Sequence, residues 1–238
     1  MRDAVTAQPL PVYLQIAELL ARQIKAGYWR EGERLPTEAA LAVQLDVAVG
    51  TLRKALALLA EQGTLERIQG SGTYVKKAAG ASRIYELFRL ELHDGPGLPT
   101  ARILGVRKVN RPPEVPAELT SQGTLWRVRR LRLLSQQPVS LEEIWFDGAN
   151  CEALTPKELG DSMYLFYQQR FGVWIARVED RIGVGPVPAW AVADYGQSAG
   201  DCAGFIERFS WTASNSLAEY SRTWFHPGVA RYSSRMSQ

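Results

Sequence analysis

Arg130 and Arg132 stand two residues apart within Thr124–Leu134, a run that alternates apolar and polar side chains. Period-two alternation sends both guanidinium groups, with Trp126 and Val128, to one face of a strand. Two cations on one face repel each other unless they share an anion or meet carboxylates. Guanidinium forks suit the oxygens of a phosphate, phosphonate or carboxylate. On the next run Ser140 and Glu142 share a face, as do Glu219, Ser221 and Phe225 near the C-terminus. Two readings of these residues stand side by side. One is a pocket of two guanidinium groups, hydroxyls and a carboxylate that takes a polar anionic metabolite. The other is a surface ladder in which Arg130 and Arg132 pair with Glu142 and Glu219.

A second set of chemistry-bearing residues lies in the first third of the chain. Thr51, Arg53 and Lys54 point away from an apolar seam of Leu52, Leu56 and Leu59, which predicts a helix from about Ala48 to Gln62 with a polar outer face. Such a helix fits the major groove of DNA, where outward side chains reach base edges or phosphates. Arg34, Arg67 and Gln69 add polar groups nearby, and the tip Gly70-Ser71-Gly72 lets a backbone approach DNA closely.

The elements that must hold these residues follow from periodicity. Tyr13, Ile16, Ala17, Leu20 and Ile24 form one stripe of a helix over Pro11–Gly27. Thr37 is an N-cap for a second helix whose Leu41 and Leu45 face inward, and Asp46 occupies the turn that follows. Gly63 stops the third helix, and strands at Leu65–Gln69 and Thr73–Lys77 flank the glycine tip. Three helices and a small hairpin in that order describe a winged helix-turn-helix over residues 1–77. The small-residue stretch that follows predicts a linker at 78–83. Residues 84–238 then read as strands at Ile84–Leu92, Arg102–Val109, Thr124–Leu134, Val139–Phe146, Trp174–Val184, Phe205–Trp211 and Leu217–His226. A helix is expected at Met163–Arg170, between Ser162 and Gly172, and a short one at Pro188–Tyr195. The fold class is α+β, with the second domain built on an antiparallel sheet.

Composition bounds the function. The 238 residues are 46% hydrophobic and 22% charged, as expected of a globular protein, with a net charge of only +3. DNA affinity therefore has to come from where charges are placed. No apolar run is long enough to span a bilayer, and the N-terminus lacks an apolar signal core, so a cytoplasmic location is expected. Cys151 and Cys202 fit no metal or redox spacing and read as reduced thiols. No cofactor and no metal is expected.

The N-terminal motifs resemble the DNA-binding domain of the GntR family of bacterial regulators. The resemblance is carried by Tyr13, the Gly27–Gly32 spacing, Leu35-Pro36-Thr37-Glu38, Val47, Thr51-Leu52-Arg53-Lys54-Ala55-Leu56, Gly63 and Gly70-Ser71-Gly72-Thr73-Tyr74-Val75. It implies DNA contact through Arg34, Thr37, Thr51, Arg53, Lys54, Arg67, Gln69, Gly70, Ser71 and Gly72. Ala48-Val49 stands where many members carry Ser-Arg, so Arg34, Arg53 and the wing have more of the contact to supply. The remainder is similar to the UTRA effector-binding domain of the HutC subfamily, whose fold is like that of chorismate lyase. Val128-Arg129-Arg130-Leu131-Arg132, Pro138-Val139, Glu142, Ser162-Met163-Tyr164 and Ala218-Glu219-Tyr220-Ser221 carry that likeness. It implies effector contacts at Arg130, Arg132, Glu142, Ser162, Tyr164 and Glu219. Phe225 replaces a tyrosine common in sugar-phosphate binders. The resemblance also implies a homodimer on an inverted-repeat operator, acting as a repressor. A chorismate-lyase-like enzymatic domain is the rival reading, but His93 and His226 belong to no recognisable catalytic constellation. A third reading, a winged-helix architectural protein without an effector, leaves the paired arginines unexplained.

Overall fold

The computed structural model describes residues 11–25, 28–76, 89–95, 97–148 and 151–234. The chain divides into two compact units, one mainly Leu10–Leu98 and the other mainly Pro99–Arg231. The expected linker at 78–83, the start of the Ile84–Leu92 strand and Gly27 lie outside the described residues.

In the first unit α1 spans Val12–Lys25, α2 Glu38–Gln44 and α3 Val49–Glu61. Ile16, Leu20, Leu41, Leu45, Leu52, Leu56 and Leu59 bury in one core, as their spacing requires. The Thr37 hydroxyl accepts the Ala40 amide at 3.3 Å and caps α2. Asp46 takes the left-handed turn between α2 and α3 with φ 53°. Strands β1 (Leu65–Ile68) and β2 (Gly72–Val75) pair antiparallel as the wing, and a bridge from Arg34 to Tyr74 adds a third segment. A short β3 follows at Leu90–Leu92. Ala48, the N-cap of α3, makes no side-chain hydrogen bond. Ala48→Ser should therefore supply a missing acceptor and stabilise this unit by about 1 kcal/mol, read as a higher urea midpoint.

The second unit is a six-stranded antiparallel sheet in the order β4-β5-β6-β9-β8-β7. Its strands are β4 (Pro99–Asn110), β5 (Thr124–Leu134), β6 (Gln137–Phe146), β7 (Ile175–Pro186), β8 (Cys202–Thr212) and β9 (Leu217–Phe225); a short β10 at Ala230–Tyr232 lies outside this sheet. The β5–β6 turn is tighter than the expected Ser135–Pro138. Only Ser135 and Gln136 turn, both at positive φ, as a two-residue hairpin demands. Pro138 joins β6 where the register shifts between Arg132 and Leu133, so its missing N–H is accommodated at an irregularity. The helix expected at Pro188–Tyr195 is only a 3₁₀ turn at Ala193–Tyr195. The chain from Val187 to Tyr195 instead lays those two residues on Leu131, Leu141 and Trp224 of one sheet face, with the Tyr195 hydroxyl bonded to the Trp224 carbonyl at 3.0 Å. On the opposite face α4 (Met163–Phe171) packs Phe166, Tyr167 and Phe171 around Phe146. Ser162 caps α4 and Gly172 ends it in the left-handed region, both as expected.

Candidate functional sites

The first candidate surface is built by α2, α3 and the wing. Glu38, the first residue of α2, accepts Arg53 Nε at 2.9 Å and Arg67 Nη2 at 3.3 Å, so one carboxylate gathers a cation from α3 and one from β1. Arg67 also donates to the Arg53 carbonyl at 3.3 Å. Both arginines stay open to solvent, at 62% and 39% of the side chain. Arg34, Glu38, Arg67, Gln69, Gly70, Ser71 and Gly72 line an open cleft of about 470 Å³. A Cβ on Gly72 would stand 2.7 Å from Arg34 Nε, and its φ of 137° also favours glycine. Ser71 and Tyr74 share a 2.7 Å hydroxyl hydrogen bond that braces the wing. Thr37 is exposed and spends its hydroxyl on the helix cap; Lys54 is exposed and Thr51 half-buried on the outer side of α3. Sequence reading missed the organising role of Glu38, whose signal is an acidic residue directly after the capping threonine.

The second candidate site lies on the sheet face under α4. Cross-strand register sets Arg130 opposite Glu142 and Arg132 opposite Ser140, then Glu142 opposite Thr223 and Ser140 opposite Phe225. Arg130 and Arg132 are only 5% and 4% exposed, so the surface-ladder reading fails on burial. Its pairing was half right. Glu142 accepts from Arg130 Nε and stands 3.4 Å from Arg132 Nε. Glu219 instead accepts the Tyr167 hydroxyl at 2.7 Å and the Ser210 hydroxyl at 3.3 Å. Tyr164 shares a 3.1 Å hydrogen bond with Ser210. A third cation, the half-buried Arg208, holds Asp180 through two bonds of 2.6 and 2.7 Å. Ser140 is fully buried, and its hydroxyl has no hydrogen-bond partner among the described residues. The structure thus joins Arg130, Arg132 and Glu142 in one buried group and Tyr164 and Glu219 in a second through Ser210, with Arg130 near enough to Glu219 to act on its charge and Ser162 beside them as the α4 cap.

Electrostatics differ between the two glutamates. Burial raises the Glu142 carboxyl, but Arg130 and then Arg132 more than offset it and hold it below the ordinary carboxylate range. Burial also raises Glu219, and there the Tyr167 hydrogen bond, Arg130 and Arg208 fail to bring it back down. Burial and the neighbouring Glu219 push the Tyr164 hydroxyl up to about 12. A carboxyl raised in the folded state favours folding below its unfolded pKa and loses that contribution as pH rises through the folded value. Glu219→Gln should therefore flatten the decline in stability as pH climbs from the ordinary glutamate range, read as urea midpoints across pH 4–7.

Tyr167, Ser210, Arg208 and Asp180 were missed by sequence reading. Tyr167 was legible as the i+3 partner of Tyr164 on one helix face. Asp180 interrupts the otherwise apolar face Val178, Ile182 and Val184 of β7, a polar residue where the pattern calls for an aliphatic one. Among the described residues no cluster of His, Cys, Asp and Glu could hold a metal ion. Cys151 and Cys202 are free.

Comparisons with known proteins point one way. The family model described as bacterial regulatory proteins, gntR family, matches residues 12–75. The UTRA domain model matches residues 97–229. The chain is 45% identical over 232 residues to the HTH-type transcriptional regulator SmoD of Agrobacterium fabrum, covering 97% of this chain and 98% of that protein. It is 36% identical over 187 residues to the mannosyl-D-glycerate transport/metabolism system repressor MngR of Escherichia coli, covering 72% and 73% of the two chains. The crystal structure of YydK from Bacillus subtilis superimposes with a TM-score of 0.55 at 20% identity, over 94% of this chain and 99% of that one, a likeness of fold.

Proposed function

We propose, on the premise that this chain belongs to the GntR family of bacterial regulatory proteins and to its HutC subfamily, that it is a transcriptional repressor whose operator affinity is set by a small anionic metabolite. Regulation of transcription through DNA, rather than catalysis, is what the family and the similar proteins share. The anionic effector rests on one observation above the others: two adjacent arginines buried beside a single shared carboxylate. Burying cations is costly unless they are paired, and two guanidinium groups side by side on one strand face offer matched donors to the oxygens of an anion. The MngR name supports a glycoside carrying a carboxylate as one such class. The effector contacts are Arg130, Arg132, Glu142, Ser162, Tyr164 and Glu219. The DNA contacts are the ten residues named from sequence, Arg34 and Thr37 ahead of α2 and the rest on α3 and the wing, with Arg53 and Arg67 aligned by Glu38.

The protein acts as a homodimer in the cytoplasm on an inverted repeat, because one winged helix reads few base pairs and two-fold symmetry doubles the reading. No described helix is long and apolar enough to cross a membrane. Two measurements test the reading. Arg53→Ala should weaken binding to DNA from its own promoter region by about 1–3 kcal/mol in a gel-shift titration, and unchanged affinity removes Arg53 from the interface. A thermal-shift screen of phosphorylated and carboxylated metabolites should find a stabilising ligand that releases DNA. Arg132→Ala should keep DNA binding and lose that release; release that survives places the pocket elsewhere.

A further inference from the structure

Resting on the effector reading above, we infer that Asp161 is a positioning residue that holds the arginine pair until an anion displaces it. Its carbonyl accepts Arg132 Nη1 at 2.6 Å and Arg130 Nη1 at 3.4 Å, from two guanidinium groups that also share Glu142. Its carboxylate Oδ1 accepts the Ala101 amide of β4 at 2.8 Å. The next residue, Ser162, accepts the Leu165 amide at 3.3 Å and so begins α4. One residue therefore ties an edge strand, the arginine pair and the start of the helix that roofs the network.

The arrangement is a competition. A neutral carbonyl makes weaker bonds to guanidinium than an anionic oxygen does. An anion that reaches both arginines takes the Nη1 groups, and the 161–162 peptide has to turn away to let it in. Ser162 is part of that peptide, so the turn is passed to the first residues of α4. The bond from Asp161 to Ala101 resists it. Ala101 is available for this because β4 is the sheet's outer strand and pairs only with β5. Whatever free energy holds Asp161 in place lowers apparent effector affinity and couples binding to movement of α4.

Full-length protein titrated with inorganic phosphate, against chloride at matched ionic strength, tests this by thermal shift. Asp161→Ala should lower the phosphate midpoint about fivefold, the usual worth of one hydrogen bond. Asp161→Asn keeps the Oδ1 acceptor and should match the parent. Ala101→Pro removes the donor at an edge-strand position that tolerates proline and should behave like Asp161→Ala. It also decides the matter if Asp161→Ala does not fold. A structural tie alone would lower the melting temperature of both variants without moving the phosphate midpoint, and that result overturns the inference. Arg132→Ala should abolish the phosphate response. A response retained there overturns the effector reading and the inference with it, whereas loss there with no change in Asp161→Ala and Ala101→Pro overturns the inference alone. No phosphate-dependent shift in the parent and Asp161→Ala alike also overturns it.

Discussion

Glu142→Ala should destabilise the second domain by about 3–5 kcal/mol, the usual cost of stripping the partner from a buried ion pair. The expected loss is large because Glu142 serves two cations at once. Arg130 and Arg132 are both almost fully buried, and without Glu142 they lie side by side on one strand face with far less compensating charge. Urea unfolding followed by far-ultraviolet circular dichroism gives the number. A loss under about 1 kcal/mol would mean that water reaches the pair and that the network is not dry. A companion variant separates stability from recognition. Replacing Arg130, Arg132 and Glu142 together by apolar residues of similar volume should recover most of the lost stability, since buried ion networks are often no better than well-packed hydrocarbon. The same variant should bind no anion.

Leu52→Ala should cost the first domain about 2–5 kcal/mol and abolish operator binding in parallel. Leu52 is fully buried in the core shared by α1, α2 and α3, one residue before Arg53. The cavity it leaves loosens the seat of the helix that carries Arg53 and Lys54 outward. In so small a unit a loss of this size approaches the total stability. Operator affinity should return when the variant is assayed at low temperature with its fold retained. If it binds normally at temperatures where the domain has already melted, α3 is not the element that positions the contact.

The fold was largely legible because its cues are local. Apolar spacing gave the three helices, Thr37 and Ser162 announced two helix starts, and Gly63 and Gly172 two ends. Alternation in Thr124–Leu134 put Arg130 and Arg132 on one face correctly, since side-chain direction in a strand has period two whatever the strand pairs with. The Pro188–Tyr195 segment misled because its apolar residues suit a helix, yet they are spent one by one against Leu131, Leu141 and Trp224. The turn at Ser135-Gln136 lacked the usual Asn-Gly chemistry and was read two residues too long.

The sequence by itself determined the helical trio with its wing, the strand-rich character of the second domain and the residues that carry charge on each face. These follow from short-range periodicity and capping, which need no knowledge of distant partners. Only the tertiary structure decided which charges meet. Arg130 and Arg132 share Glu142, Glu219 turns to Tyr167 and Ser210, Glu38 collects Arg53 and Arg67, and the Asp161 carbonyl reaches both buried guanidinium groups. The physical reason is strand order. Placing β9 between β6 and β8 brings residues far apart in the chain to hydrogen-bonding distance, and no local pattern encodes that neighbour choice.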